Sequence, residues 1–333
     1  DPRYAYAYAY HVDKCPHEDT RNAAYKDPEH AWLYALNVDK CPSDDSRKIA
    51  CNDPSSAYYY ALEVDKCPRD DTREAACKDS EYAYYYAKDV DKCPRDDTRE
   101  AVYQSPEYAC QYALDVEKKP NDYIREIVCK DSYWTYEYVK NVDRRPGEDI
   151  KKVLCTNPEY AYFYARYVDK CPSEETRVSV CKSPEYAYFY ARDVDRCPRD
   201  DTRENACRHP KFAYLYLKEV DKCSREDTKE AICKSPEYAC LYAKEVDKCP
   251  REDTRKAACV APYFSYKYAL EIDKGPVDIT REIACKNAFF AYLYAQDIDK
   301  CIREDTWLAV KGTGYEKEYR KFFNELAKED III

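Results

Sequence analysis

Residues 53–78 read DPSSAYYYALEVDKCPRDDTREAACK, and variants of this 26-residue stretch fill the chain from residue 1 to residue 312. Asp53 is a favourable N-cap, and Pro54 suits the first helical position because its missing N–H removes no hydrogen bond there. Apolar residues follow at positions 57, 60, 61 and 64, which is the spacing of one helix face. The stretch therefore predicts a first helix of about twelve residues.

A second helix is predicted in the second half of the stretch. Proline disfavours a helical residue before it, so the first helix should end near Pro68, which then opens the second helix. Asp70 and Asp71 fall in the first turn of that helix, where the helix dipole favours acids. Thr72 and Ala75 lie on its inner side. Each repeat is thus expected to be a helix, a tight turn and a second helix of about ten residues.

Two phased series of cysteines show that the repeat has no insertion or deletion. The early series is Cys15, Cys41, Cys67, Cys93, Cys171, Cys197, Cys223, Cys249 and Cys301. The late series is Cys51, Cys77, Cys129, Cys155, Cys181, Cys207, Cys233, Cys259 and Cys285. We expect twelve tandem repeats over residues 1–312 and a separate element over residues 313–333, because this period holds as far as Gly312.

Stacking of the repeats is required, because one hairpin cannot bury both of its faces. The expected fold is an all-α solenoid of twelve 26-residue helix-turn-helix repeats. Alanine at the fifth and ninth repeat positions allows close approach, and a tyrosine at the eighth position, such as Tyr60, supplies bulk in every repeat. A buried tyrosine hydroxyl needs a partner, for which Thr72 and Asp65 are both candidates.

The two ends of the chain differ. Residues 313–333 predict an amphipathic capping helix that starts at Thr313 and covers the last repeat. Its apolar side contains Tyr315, Tyr319, Phe322, Phe323 and Leu326. No such cap precedes Asp1, so either more chain lies upstream or the first repeat meets a partner. The apolar residues Ile331–Ile333 would suit docking, and a head-to-tail contact between copies builds open filaments when it does not close.

The stretch SPEYAYFYARDVDRCPRDDTR, residues 183–203, resembles the short tandem PEYAYxYA helical repeats of uncharacterised phage and microbial proteins. The resemblance covers residues 1–312. It implies a helical repeat and brings no established activity. The phased cysteines depart from that family's form and suggest an extracellular version.

Twenty cysteines in 333 residues are typical of an oxidising compartment, so we expect disulfides and a secreted, cell-surface or virion-surface protein. Bridges between adjacent repeats fit the gaps in the two series better than bridges inside a repeat. One register pairs Cys51 with Cys67. It is favoured because its orphans Cys129 and Cys259 share repeats with the two extra cysteines at the sixth position, Cys110 and Cys240.

The other register is favoured by distance, because a twelve-residue helix would separate Cys51 from Cys67 by about 18 Å, whereas bridged Cα atoms lie about 4.4–6.8 Å apart. We lean to this second register. Its candidate bridges are Cys41–Cys77, Cys93–Cys129, Cys171–Cys207, Cys197–Cys233, Cys223–Cys259, Cys249–Cys285 and Cys67–Cys110.

Aromatic residues occupy the sixth repeat position in most repeats. Packing between neighbouring repeats is one interpretation. The other is a binding surface for sugars or single strands, for which the candidate surface aromatics are Tyr58, Tyr84, Tyr162, Tyr188 and Tyr214.

Composition and motifs exclude several function classes. The net charge of -10 argues against a nucleic-acid binder, and no apolar run is long enough to span a bilayer. No catalytic or metal-binding motif recurs, so we expect neither an enzyme nor a cofactor. Calcium at the acidic turn of Asp65, Asp70 and Asp71 is an alternative, although no EF-hand loop is present.

The sequence therefore predicts a non-enzymatic structural protein, a disulfide-stapled solenoid that self-associates through its uncapped first repeat into a filament, sheath or surface layer. The alternative is a binding module that holds a peptide, protein or glycan in its superhelical groove.

Overall fold

The structure is a computed structural model that describes residues 1–144 and 147–329, with side chains described as far as residue 324. All regular secondary structure in those residues is helical, and it recurs with the 26-residue period of the sequence. The predicted all-α solenoid of tandem helical hairpins is confirmed.

The first helix of each repeat starts at the predicted cap. In the third repeat the Asp53 carboxylate accepts a hydrogen bond from the Ser56 N–H at 2.8 Å. An α-helix runs over Pro54–Tyr59 and continues without a break as a π-helix over Tyr60–Asp65. The two parts together have the predicted twelve residues.

A π-helical last turn and a left-handed residue close the first helix in eleven repeats. In the first repeat the Lys14 N–H donates to the Ala9 carbonyl at 2.8 Å, a bond that spans five residues. Lys14 itself has φ 54°, and every equivalent left-handed residue is Lys or Arg rather than Gly. Such a backbone costs an L-residue about 1–2 kcal/mol.

The second helix is shorter than predicted. In the third repeat it covers Asp70–Ala76, seven residues, and its N-cap Arg69 is extended with φ -135°. Pro68 therefore lies before the cap and does not open the helix, which corrects the sequence prediction. Asp70 and Asp71 occupy the first turn as expected.

The helix bounds follow the repeat closely. The α-helical parts of the first helices are Pro2–Tyr8, Pro28–Tyr34, Pro54–Tyr59, Ser80–Tyr85, Pro106–Tyr112, Ser132–Asn141, Pro158–Phe163, Pro184–Tyr190, Pro210–Tyr216, Pro236–Tyr242, Pro262–Tyr268 and Ala288–Tyr294. The π-helical parts are Ala9–Asp13, Ala35–Asp39, Tyr60–Asp65, Tyr86–Asp91, Ala113–Glu117, Tyr164–Asp169, Ala191–Asp195, Leu217–Asp221, Ala243–Asp247, Ala269–Asp273 and Ala295–Asp299. The second helices are Glu18–Ala24, Asp44–Ala50, Asp70–Ala76, Asp96–Val102, Asp122–Val128, Glu148–Leu154, Glu174–Val180, Asp200–Ala206, Glu226–Ile232, Glu252–Ala258, Asp278–Ala284 and Glu304–Val310.

The chain divides into two compact units, Asp1–Lys170 and Cys171–Ile333. The largest core of the first unit includes Tyr112, Ile124 and Tyr138, all fully buried. The sixth repeat, in this unit, has a plain α-helix over Ser132–Asn141 in place of the α-to-π helix. In both units the fifth- and ninth-position alanines are buried, apart from Ala5 of the first repeat, as their small size predicts.

A last helix, Glu316–Glu329, follows the twelfth repeat in the second unit. Tyr319 and Phe323 are buried against Val310 and two alanines of the twelfth repeat, so this helix covers that repeat as predicted. The Leu326 side chain and Ile331–Ile333 lie outside the described part of the chain. Within that part, no helix is long and apolar enough to cross a membrane.

Candidate functional site

The eighth-position tyrosine joins each repeat to the one before it. The Tyr86 hydroxyl lies 2.9 Å from Thr72 Oγ1 and donates to the Arg69 carbonyl at 3.0 Å, and it also accepts from the Arg69 N–H at 3.0 Å. Tyr86 is fully buried. Of the two partners that the sequence left open, the structure selects the threonine.

Asp65, the other candidate, belongs to a second contact across the same boundary. Arg47 Nε lies 2.9 Å from Asp65 Oδ2, and Arg47 Nη2 lies 2.9 Å from Asp65 Oδ1. Both side chains are at least 95% buried. Nine such arginine–acid pairs are described, and the sequence analysis did not identify them. A sequence pattern could have revealed them. An arginine such as Arg73 lies three residues after the first acid of the second helix, Asp70, and eighteen residues before the thirteenth-position acid of the next repeat, Asp91.

The sixth-position aromatics are packing residues, which corrects their selection as surface residues. At most 7% of each is exposed, for Tyr58, Tyr84, Tyr162, Tyr188 and Tyr214. The Tyr58 hydroxyl donates to Asp89 Oδ2 in the next repeat at 2.9 Å. The Tyr58 ring also lies 6.1 Å from the ring of Tyr82, centroid to centroid. The structure therefore supports the interpretation that the sixth-position aromatics pack between neighbouring repeats.

The carboxylates of the acidic turn are paired with arginines. Asp70 contacts Arg73 Nη1 at 2.7 Å, while Asp65 is held by Arg47. The described residues bring together one group of three side chains able to share a metal ion, Asp27, Glu29 and His30. That group coincides with a helix start, where Asp27 caps the backbone of His30. Calcium at the acidic turns stays a prediction.

The cysteines fall into two environments. The fourteen bridge candidates are thiols in this structure. Early-series members such as Cys41 and Cys67 are exposed, just after the left-handed lysine. Late-series members such as Cys77 are half-buried at the end of the second helix. Burial raises the pKa of Cys77 to about 12, and the nearby Asp97 adds to this effect.

The late-series position faces the following repeat. Tyr25 stands in this position in the first repeat, and its hydroxyl donates to Asp39 Oδ2 at 3.0 Å. Cys77 likewise has Asp91 and Asp97 of the fourth repeat beside it. A bridge from Cys77 to Cys41 would need it to face the second repeat instead. The seven candidate bridges stay a prediction, and the neighbours of Cys77 favour the register that places Cys51 beside the turn of Cys67.

The boundary between the ninth and tenth repeats is irregular. Lys229, like Lys151 of the sixth repeat, stands where nine described boundaries have arginine, and the Lys229 Nζ contacts Asp253 instead of Asp247. Asp247 is 8% exposed and its Oδ2 has no hydrogen-bond partner. Burial raises the pKa of this carboxyl. The boundary also differs in that Ser224 Oγ, rather than Thr228, contacts the Tyr242 hydroxyl.

A cleft of about 440 Å³ lies at this irregular boundary. Lys218, Lys222 and Lys248 line it together with the exposed Cys223. Lys218 is paired with Glu245 at 2.8 Å. The matching cleft between the first and second repeats holds about 430 Å³ and contains the equivalent lysines Lys14 and Lys40.

The first helix of the first repeat leaves its boundary residues exposed. Tyr4 is 74% exposed, Tyr8 is 53% exposed and Val12 is 60% exposed. In the next repeat the counterparts of Tyr8 and Val12, Tyr34 and Val38, are 0% and 7% exposed. The described chain therefore has an open face formed by Tyr4, Tyr8 and Val12, which we call the open first helix. Asp13 lies beside it, half-buried, with one carboxylate oxygen 4.0 Å from His17 Nε2.

The last helix supplies the same residue types at the other end. Tyr315, Tyr319 and Phe323 have the four-residue spacing of Tyr4, Tyr8 and Val12. The Tyr319 hydroxyl lies 2.9 Å from Thr306 Oγ1, as a repeat tyrosine would. The last helix thus takes the place of a thirteenth first helix.

The contacts of the last helix differ from a repeat boundary in one respect. Trp307 stands where other second helices have arginine, and Arg320 lies over its ring at 4.4 Å. The residue at the position of the boundary acid is the neutral, exposed Asn324. No arginine–acid pair is therefore formed between this helix and the described residues of the twelfth repeat.

Comparison with known proteins gave no match to a family model, a curated protein or a solved structure. The resemblance to PEYAYxYA repeats stays a prediction from the sequence.

Proposed function

We propose that this chain is a non-enzymatic structural protein that joins an assembly through its open first helix. The observation that carries the proposal is the exposure of Tyr8, which is 53% exposed while ten described counterparts from Tyr34 to Tyr294 are fully buried. The Tyr86 hydroxyl has hydrogen-bond partners in the preceding repeat, Thr72 and the Arg69 backbone, whereas the Tyr8 hydroxyl has none among the described residues. Covering it would bury its ring and satisfy the hydroxyl.

The internal boundaries define what would fit the open first helix. Tyr8 fits a threonine or serine hydroxyl and a main-chain carbonyl, as Tyr86 binds Thr72 and Arg69. Asp13 fits a guanidinium, as Asp91 binds Arg73 at 2.8 Å. The counterpart is therefore the second helix of a repeat of this same type.

The proposal can be tested with a variant of this chain whose last repeat exposes such a second helix. Removing residues 313–333 uncovers Thr306, and Trp307→Arg restores the arginine of the other boundaries; we call this variant the end-opened chain. It should form oligomers whose size rises with concentration in sedimentation velocity. Tyr8→Ala in the same chain should keep the helical content and lose the oligomers. An end-opened chain that stays monomeric at all concentrations would refute the proposal.

A second candidate function is a binding module, favoured by the cleft at Lys218, Lys222 and Lys248. Lys222 and Lys248 are held in left-handed backbone conformations that fix where their side chains start. Two ammonium groups beside an apolar wall would suit a carboxylate of an acidic peptide or an anionic glycan. Lys222→Ala should weaken binding of such a ligand, and Lys234→Ala, outside the cleft, serves as the matched control.

Secretion and stapling belong to the same proposal, because a structural protein in an oxidising compartment would keep its cysteines paired. The intact mass after alkylation with and without reductant tests this part. Twenty alkyl groups without reductant would rule out the bridges.

A further inference from the structure

The strongest unexplained feature lies at the closed end of the chain, where Trp307 replaces an arginine. At each regular boundary the arginine holds an acid whose side chain is almost entirely buried: Asp91 and Asp299 are both 0% exposed. A first helix from another copy would bring Asp13 to Trp307, which has no charge to offer, and would leave it only the exposed His17 of its own chain, 4.0 Å away. A buried carboxylate without a partner is costly.

We propose that Trp307 and the last helix form a terminator, meaning a boundary that stops further stacking of repeats. The second helix that contains Trp307 packs against a helix with Asn at the boundary position and does not bind a repeat first helix with Asp there. This inference rests on the proposed function, because it names which ends can meet. Copies of this chain then do not stack end to end. The partner of the open first helix is a different end, one with a threonine and an arginine on its second helix.

The ninth repeat shows, within the same molecule, one outcome of replacing this arginine; the sixth repeat also has a lysine at this position, Lys151. Lys229 keeps a positive charge, yet the Oδ2 atom of Asp247 is left without a hydrogen bond in a side chain that is 8% exposed. Lysine lacks the planar fork that binds both carboxylate oxygens. A tryptophan, which has no charge and a single N–H donor, would leave an incoming Asp13 in a worse state.

Asn324, on the last helix, also supports the proposed terminator. It follows Phe323 as Asp13 follows Val12, so it matches the boundary acid in sequence without a charge. Asn324 is exposed and lines a cleft together with Trp307. The last helix also brings Arg320 over the Trp307 ring at 4.4 Å, where repeat first helices have a small alanine in most repeats. Trp307, Arg320 and Asn324 thus line one cleft, and all three differ from the residues of the repeat.

The test compares two chains that both lack residues 313–333, one with Trp307 and one with Trp307→Arg, the end-opened chain. We expect the chain that keeps Trp307 to associate on the order of 100-fold more weakly. Asp13→Asn should strengthen association in the Trp307 chain and weaken it in the end-opened chain. This reversal of sign is not expected from a general effect on folding.

The outcomes separate the two proposals. Equal association of the two chains, or the same effect of Asp13→Asn in both, would overturn the terminator and leave the open first helix standing. If the end-opened chain does not associate, both proposals fail. Circular dichroism of each variant checks that the shortened chains are folded.

A measurement on the full chain does not depend on the deletion. Asn324→Asp should loosen the last helix in the presence of Trp307, and Trp307→Arg should restore it in the double variant. Hydrogen exchange of residues 316–324 reports this directly. Additive loss of protection in the double variant would overturn the matched Trp307–Asn324 pair.

Discussion

Arg73 binds Asp91 across a repeat boundary through two nitrogens. Nε lies 2.9 Å from Oδ2, and Nη2 lies 2.8 Å from Oδ1. The Asp91 side chain is fully buried, so this contact replaces its water. Breaking a buried pair is more costly than an exposed one, because it leaves one charge without a partner. The boundary arginine is therefore the residue whose replacement the structure makes easiest to predict.

Lys229→Arg should stabilise the protein. The longer, forked side chain can reach Asp247, whose Oδ2 now has no partner. We expect the free energy of unfolding to rise by about 1–3 kcal/mol, measured by urea denaturation. The reverse change in a regular boundary, Arg203→Lys, is the matched control and should lower it. A neutral Lys229→Arg would contradict this account.

The same carboxyl should give the protein a pH-dependent stability. Burial raises the folded pKa of Asp247 above 3.8, so the native state holds this proton more tightly than the unfolded chain. Its contribution to stability is present at low pH and is lost as the pH rises through the folded pKa. The difference in unfolding free energy between Lys229→Arg and the parent should therefore widen from pH 3.5 to pH 7. A constant difference would show that Asp247 is already ionised at the lower pH.

Removing one tyrosine hydroxyl should lower stability by different amounts at two equivalent positions. Tyr86→Phe leaves Thr72 and the Arg69 backbone without their partner. We expect a loss of about 1–2 kcal/mol in thermal or urea unfolding. Tyr8→Phe, in the open first helix, should change stability little. Equal losses at both positions would mean that the buried contact contributes nothing.

The two cysteine series should react at different rates. Cys41 and Cys67 are exposed, whereas burial raises the pKa of Cys51 to about 11 and that of Cys285 to about 12. Because the thiolate is the reacting form, iodoacetamide at pH 7.5 should modify the early series first. Peptide mapping over time measures the order. Early cysteines that resist alkylation until reductant is added would instead indicate bridges.

The left-handed lysine should be a site of local strain. Lys66 has φ 54°, which glycine adopts without a Cβ clash. Lys66→Gly is expected to stabilise the protein by up to about 1 kcal/mol in urea unfolding. Lys78→Gly, at an exposed lysine outside the left-handed region, is the control and should be neutral or destabilising. Equal effects of the two changes would count against strain at Lys66.

The period, the hairpins and the closing helix could be predicted because each depends on local signals. Asp53 before Pro54 fixes a helix start, and the spacing of Ala57, Tyr60 and Val64 fixes the buried face. The burial of Tyr60 and its equivalents followed from the repeat alone. Thr72 was one of two candidates for the tyrosine, and only packing could select it.

The π-helical turn and the left-handed residue could not be predicted. A left-handed cap is usually signalled by Gly or Asn, and here Lys66 occupies it. The pairing of Arg47 with Asp65 depends on how two hairpins pack against each other. The sequence of a single repeat does not give this packing. The exposure assigned to Tyr58 and Tyr84 was wrong for the same reason, because their burial comes from the next repeat.

The identity of the boundary contacts has a consequence for how such a chain changes in length. Tyr86 with Thr72 and Arg73 with Asp91 recur after each 26 residues, so deleting or duplicating one whole unit at a regular boundary rejoins matching partners. Length can then vary in fixed increments without any compensating substitution. A join at the boundary of Lys229 and Asp247 would be different, because a lysine replaces the arginine there and Asp247 Oδ2 has no hydrogen-bond partner.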